Sequence, residues 1–262
     1  MTNKRFSVYL VAIMLIAAFV AGCGSSSSRT PASPNTGGAL RVIPYPEGAH
    51  LGGAAAYNGA NDHRDSRYFI TQNDWFEQEN TRDLVILPHY ATYQQTTGTS
   101  CGPAAILTIL YHYGITNKNE LEIMAEVPMA ENGLSAECVR DYFLSLGFKV
   151  ESHVSSEPRF KSLAEFVAFA REQLQAGRPI MVDWQRWEGH YTVIIGIDSM
   201  GTEIVTDDVV IMADPFDISD HLQDGYFVVH ALQFYAEWVE GYCGEYTNSE
   251  PPYRQAMVIP YQ

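Results

Sequence analysis

Tyr93-Gln94-Gln95-Thr96-Thr97-Gly98-Thr99-Ser100-Cys101-Gly102-Pro103-Ala104-Ala105 changes character at its cysteine. Upstream lies a loop of Thr, Gly and Ser. Downstream, Pro103 stands where a helix takes its first turn, a place where a missing N–H costs nothing. Ala104, Ala105, Ile106, Leu107, Ile109, Leu110 and Tyr113 continue as a strongly apolar helix that Gly114 ends. The pattern predicts Cys101 at the N-terminus of a buried helix. Unpaired N–H groups and the positive end of the helix dipole stabilise a thiolate there, and the thiolate is the nucleophilic form. Cys-Gly-Pro alone would serve equally well as a small apolar cap in a core.

A nucleophile needs a base, and eight histidines compete for that role. His112 lies on the same helix as Cys101, roughly 16 Å away by the helical rise, and is excluded. His50 and His63 fall in an N-terminal linker region, and His89 is too close upstream to fold back easily. His153, His221 and His230 stand in polar surroundings. Gly189-His190-Tyr191-Thr192-Val193-Ile194-Ile195-Gly196-Ile197-Asp198 reads instead as a buried strand entered at its histidine. A base on the first residue of a core strand is held rigidly. After a turn at residues 198–201 the chain returns as Val209-Val210-Ile211-Met212-Ala213, closed by Asp214 and stopped by Pro215. An acceptor at Asp214 takes the Nδ1–H of His190, fixing the tautomer and steadying the imidazolium. Asp214 also suits a turn cap before proline. Asp207 and Asp208 read as solvated turn residues.

Taken in chain order, these residues resemble the site of the papain-like cysteine peptidases. Within them the chain is similar to the bacteriocin-processing type, cysteine peptidase family 39, and its free-standing relatives. The matching pieces are Gln-x5-Cys-Gly-Pro-Ala-Ala, Gly-Arg-Pro-Ile-Met-Val (177–182), Gly-His-Tyr-Thr-Val-Ile-Ile-Gly-Ile-Asp and Ala-Asp-Pro, over roughly residues 88–216. The resemblance implies an α+β papain-like fold, with a helical lobe carrying the nucleophile packed on an antiparallel sheet carrying His190 and Asp214. It implies that Gln95, six residues before Cys101, donates its side-chain amide to the oxyanion of a tetrahedral intermediate, with the Cys101 N–H as second donor. Spacing alone leaves the adjacent Gln94 open. It implies acyl transfer with no cofactor and a peptide or protein substrate. Three departures weigh against a double-glycine leader as that substrate. Ser100 stands where aspartate is frequent, the stretch from His190 to Asp214 is long for a hairpin, and no ATP-binding transporter segment follows. A thiol or amine acceptor in place of water would make the same site a transpeptidase. A site that had lost its chemistry would leave a binding or scaffold module.

Residues 118–126, 135–146 and 162–175 read as amphipathic helices, with Ser135 capping the second. Phe148-Lys149-Val150-Glu151 alternates as an edge strand, and Arg178 to Trp184 reads as a central strand leading towards the site. Trp184 and Trp187 precede His190 and are candidates for the wall of a substrate cleft, or for plain core packing.

The first 22 residues read as an export signal: Lys4 and Arg5, then an apolar run from Val8 to Val20. Val20-Ala21-Gly22-Cys23 resembles a bacterial lipobox, which implies acyl chains on Cys23 and attachment to a membrane without a spanning helix. The expected location is the cell envelope, and Gly24 rather than aspartate favours the outer membrane in a two-membrane cell. Residues 23–60, rich in Gly, Ser, Pro, Ala and Asn, read as a flexible tether, with the domain over 61–262. Inside the tether lies Leu51-Gly52-Gly53-Ala54, a possible site of self-trimming. The chain carries 16 basic and 31 acidic residues, a net charge of −15, which repels nucleic acid and excludes it as a partner. Loss of Lys4 and Arg5 with the leader makes it more acidic still. Cys138 and Cys243 lack metal-ligand spacing, and an exported chain permits a bridge between them.

Overall fold

The strand that begins at His190 organises the molecule. In the computed structural model, which describes residues 40–57, 73–131, 133–186, 189–218, 223–239 and 253–262, β4 (His190–Asp198) is the longest strand. Its first half pairs with β3 (Ile180–Trp184), from Ile180 opposite Ile194 to Trp184 opposite His190. Its second half pairs with the short β1 (Leu84–Ile86). Along its other side runs β5 (Val209–Ala213), with a bulge between Ile194 and Gly196. β5 in turn pairs with β6 (Tyr226–His230). Beyond β3 lie β7 (Met257–Tyr261) and then β2 (Lys149–His153) at the edge. All these pairings are antiparallel, as expected.

The predicted helices form close to their expected bounds. The apolar run after Pro103 is α1 (Cys101–His112), which packs on β4. α2 (Glu120–Glu126) is capped by Asn119, whose side chain accepts the Glu122 N–H while Glu122 reaches back to the Asn119 N–H. Ser135 and Ser162 cap α3 (Ala136–Ser145) and α4 (Leu163–Gln175) with side chains that accept the Cys138 and Glu165 N–H. Each such cap contributes about 1 kcal/mol. α5 (Ala231–Val239) follows β6 directly, and Trp238 and Phe234 on it stack at 5.1 Å in the core. Between His190 and Asp214 the extra length is taken up by the bulge and a short 3-10 turn (Val205–Asp207). Asp208, expected in solvent, is buried there.

The domain begins well before residue 61. Residues 40–57, read as tether, run along the loop that precedes α1. The Ile43 N–H bonds Thr92 O, and the Thr92 N–H bonds Arg41 O. Arg41 pairs with Asp74 and Glu77 and lies 4.5 Å over the Phe76 ring. Further on, the Gly52 N–H bonds Thr96 O and the Ala55 N–H bonds Gln95 O. Ala54 and Ala55 are 0% and 4% exposed. The composition of a linker here is that of a strap lying flat on another backbone, which only small residues allow. A Cβ on Gly52 would sit 2.8 Å from Thr96 O, and one on Gly53 2.5 Å from Thr97 O. Gly53 also has φ +50°. Close approach to the loop thus accounts for both glycines.

Gly53→Ala should therefore lower stability by about 1–3 kcal/mol, from overpacking and backbone strain together. A urea midpoint displaced downward with an unchanged m-value would show it. A midpoint equal to the wild type would mean that the strap does not bear on the loop.

Candidate active site

Three elements bring the predicted residues together. Cys101 opens α1, His190 opens β4, and Asp214 follows the last residue of β5. Because β4 and β5 are antiparallel, with Val193 opposite Ala213, the start of one strand and the end of the other coincide. His190 and Asp214 are 3% and 1% exposed. The His190 Nε2–H donates to Asp214 Oδ1 at 2.6 Å. The expectation of an Nδ1 contact is thus corrected: Asp214 approaches from the far side of the ring. Nδ1 is left for Cys101, whose side chain is close enough to help hold a proton on this imidazole.

The carboxylate is fixed on every side. Asp214 Oδ1 also accepts the Phe216 N–H at 2.8 Å, and Oδ2 accepts from Arg186 Nη1 at 2.9 Å. Its backbone N–H bonds Gly225 O, and its carbonyl accepts from Gln94 Nε2. Arg186 lies 4.1 Å over the Phe227 ring. Nothing in the sequence around Arg186 flags it, because it sits in the β3–β4 connection and reaches Asp214 only through the fold.

These contacts set the charges. Burial alone would pull the His190 imidazole down, but the charge and hydrogen bond of Asp214, with those of Cys101, outweigh it and raise the group to about 10. Burial would push the Asp214 carboxyl up. The charge and hydrogen bond of His190, the Arg186 charge and the Phe216 N–H hold it below the ordinary carboxylate value. The site therefore holds a buried imidazolium–carboxylate pair beside Cys101.

The two adjacent glutamines divide. Gln94 bridges to the sheet: besides its bond to Asp214 O, its Oε1 accepts the Asp217 N–H. Gln95 stays with its own loop, donating one Nε2–H to Thr97 O at 2.7 Å, while its buried Oε1 has no partner among the described residues. Exchanging the ends of that amide would set two acceptors at 2.7 Å, so the nitrogen is fixed on Thr97. The Ser100 hydroxyl is engaged by Thr97 N and Oγ1 rather than capping α1. The first-turn N–H groups of α1 thus have no side-chain cap.

Of the two roles open to it, Trp184 takes core packing. It is 1% exposed and packs on Phe234 at 5.4 Å, so its ring belongs to the core rather than a cleft wall. A strand pattern in which every residue is buried gives no signal of this. Trp187, Cys23 and Cys243 lie outside the described residues, and Cys138, on α3, has no disulfide partner among the described residues. A cavity of about 530 Å³ lies at the far end of α1, against Tyr111 and His112, and none of the predicted site residues lines it. Among the described residues, no group of three or more His, Cys, Asp or Glu is disposed to hold a metal ion.

A family model, the peptidase C39 family, matches residues 89–242. The chain belongs to the peptidase C39 family. It is a cysteine peptidase, with the α+β fold that its residues led one to expect. The matched range of this C39 peptidase includes Gln95, Cys101, His190 and Asp214 but not the strap at 40–57. The solved peptidase domain of Streptococcus ComA, a bi-functional ABC transporter involved in quorum sensing, is similar at 18% identity and a TM-score of 0.44. That alignment covers 66% of this chain and all of that one. No curated protein matches the chain.

The pair makes stability depend on pH with a definite sign. His190 is raised above its ordinary 6.5, so its contribution is complete below that pH and is lost as pH climbs towards 10. Asp214 is lowered from 3.8, so its contribution is present above that value and is lost in stronger acid. The stability gap between wild type and His190→Gln should be widest between pH 3.8 and 6.5 and should close towards pH 10. Urea titrations across that range measure it, and a gap that widens towards pH 10 would refute the assignment of charges.

Proposed function

We propose that this C39 peptidase is a lipid-anchored enzyme of the cell envelope that hydrolyses a peptide or amide bond through Cys101, His190 and Asp214. The observation that carries this reading is the placement of His190: Nε2 on the buried Asp214 carboxylate, with the Cys101 side chain close enough to the same ring to help keep it protonated. The Cys101 thiolate attacks the carbonyl carbon. The oxyanion is received by the Cys101 N–H and by the second N–H of Gln95, the one not given to Thr97. His190, protonated, passes its Nδ1 proton to the leaving amine and then takes a proton from the water that releases the acyl group. Asp214 holds the ring by Nε2 throughout and balances its charge. Arg186 keeps the carboxylate aimed.

The anchor rests on the sequence alone: the Lys4–Arg5 start, the apolar run and the small residues before Cys23. Peptide or protein substrates reach such an enzyme at the membrane surface, and its acidic balance keeps nucleic acid away.

The decisive measurement is the rate of Cys101 alkylation by iodoacetamide against pH, in wild type and His190→Ala. Wild type should react readily at neutral pH. The variant should need pH near the free-thiol value of about 8.5. Superimposable profiles would overturn the thiolate–imidazolium pair. For the anchor, an alkyne analogue of palmitate fed to cells should label wild type and not Cys23→Ser. Label retained on the serine variant would refute attachment at Cys23.

A further inference from the structure

Glu120 is a carboxyl group 0% exposed at the first residue of α2. Burying such a group costs several kcal/mol unless its lone pairs are used. Helix capping does not explain its presence, because Asn119 and Glu122 already form the reciprocal cap of α2. Its hydrogen bonds run instead to the loop that carries the two glutamines. Oε2 accepts from Tyr93 Oη at 2.9 Å and from Thr96 Oγ1 at 2.7 Å, and Oε1 accepts the Thr96 N–H at 3.0 Å. The donors flank Gln94 and Gln95 on either side. The other peptide groups of this turn are fixed from elsewhere: Gln95 N–H on Pro215 O, Gln95 O by Ala55 N–H, and Thr96 O by Gly52 N–H. Glu120 therefore supplies the acceptor for the remaining Thr96 N–H and locks two hydroxyls as donors. Its charge, after burial, also helps to keep the phenols of Tyr45 and Tyr93 protonated.

We infer that Glu120 is a positioning residue for the oxyanion site: its buried carboxyl holds Thr96, and through Thr96 it fixes where the Gln95 amide points. This inference rests on the reading of Gln95 and the Cys101 N–H as oxyanion donors. It adds to that reading a residue that touches neither the substrate nor Cys101. The effect should appear only in reactions that pass through an oxyanion.

Two reagents for Cys101 separate these cases in the full-length protein. Iodoacetamide is displaced at carbon, with loss of iodide and no oxyanion. With p-nitrophenyl acetate, the thiolate adds to the carbonyl. The tetrahedral oxyanion then collapses, expelling p-nitrophenolate and leaving an S-acetyl group on Cys101. Glu120→Ala should slow the acetylation burst by about tenfold to a hundredfold, the range for a displaced oxyanion donor. The rate and pH profile of alkylation should stay at wild type. Glu120→Gln, which keeps an acceptor for the Thr96 N–H, should recover most of the burst. In a Gln95→Ala background, Glu120→Ala should add little, because it acts through that side chain. Thr96→Val, nearly isosteric, removes one of the three bonds. It should slow acetylation in the same direction, and it carries the test if Glu120→Ala does not fold. Equal slowing of both reagents, additivity with Gln95→Ala, or an unchanged burst in Glu120→Ala and Thr96→Val would overturn the inference. A wild-type Cys101 that alkylates at neutral pH but gives no burst would bring down the oxyanion reading itself, and the role of Glu120 with it.

Discussion

A protonated imidazole and a carboxylate 2.6 Å apart, closed off from water, are the constraint on which this molecule turns. Such a pair survives burial only if the geometry is good and the remaining lone pairs are used. Here the register of β4 against β5 supplies the geometry, since it brings the first residue of one strand to the residue after the other. The Phe216 N–H and Arg186 take the remaining lone pairs of Asp214. The carbonyl of Asp214 receives Gln94, and the Gln95 N–H bonds Pro215 O. The helical half, which carries Cys101, and the sheet half, which carries His190, are therefore joined through the residues around this carboxylate.

Much of this was legible in the sequence, for identifiable reasons. Cys101, His190 and Asp214 stand at element boundaries, and boundaries are marked by Pro103, Gly189 and Pro215. The helices were legible from their period, and α3 also from Ser135 ahead of it. What escaped notice depends on contacts between backbones or on the third dimension. The strap at 40–57 is held by peptide groups of loops, which leave no hydrophobic period. β1 has three residues, too few to show a pattern, and β7 contains Pro260, which argues against a strand. Trp184 was ambiguous because proximity to His190 in sequence does not say which side of a sheet a ring covers. Glu120 carries no mark in the sequence that sets it apart from the other acids of its short helix. Which nitrogen of His190 meets Asp214 is a matter of ring orientation, and no spacing encodes it.

Gln94 and Gln95 illustrate how close the two kinds of residue can be. They are neighbours, identical and equally buried. One is spent on structure, with its amide bridging to Asp214 and Asp217, and the other keeps one amide N–H uncommitted among the described residues. The fold distinguishes them by engaging one at both ends and leaving the other with an unpartnered oxygen. That orphan acceptor has a cost of the order of a lost hydrogen bond, about 1–3 kcal/mol, a loss of stability that is intelligible where a donor must be aimed.

The connections of the Gln95 loop also govern timing. Its supports come from residues 52–55, from Glu120 and from residues 215 and 224, the last through Thr92 Oγ1 on Asp224 O. None is near it in the chain. Closure of such distant segments is slow and comes late in folding. A polypeptide synthesised from its N-terminus exposes Cys101 long before the strand that brings Asp214, and longer still before Asp224 can hold Thr92. The thiol is thus present but unassisted during synthesis. The reactive arrangement comes into being only with the finished sheet, so the fold itself delays the chemistry until the chain has folded.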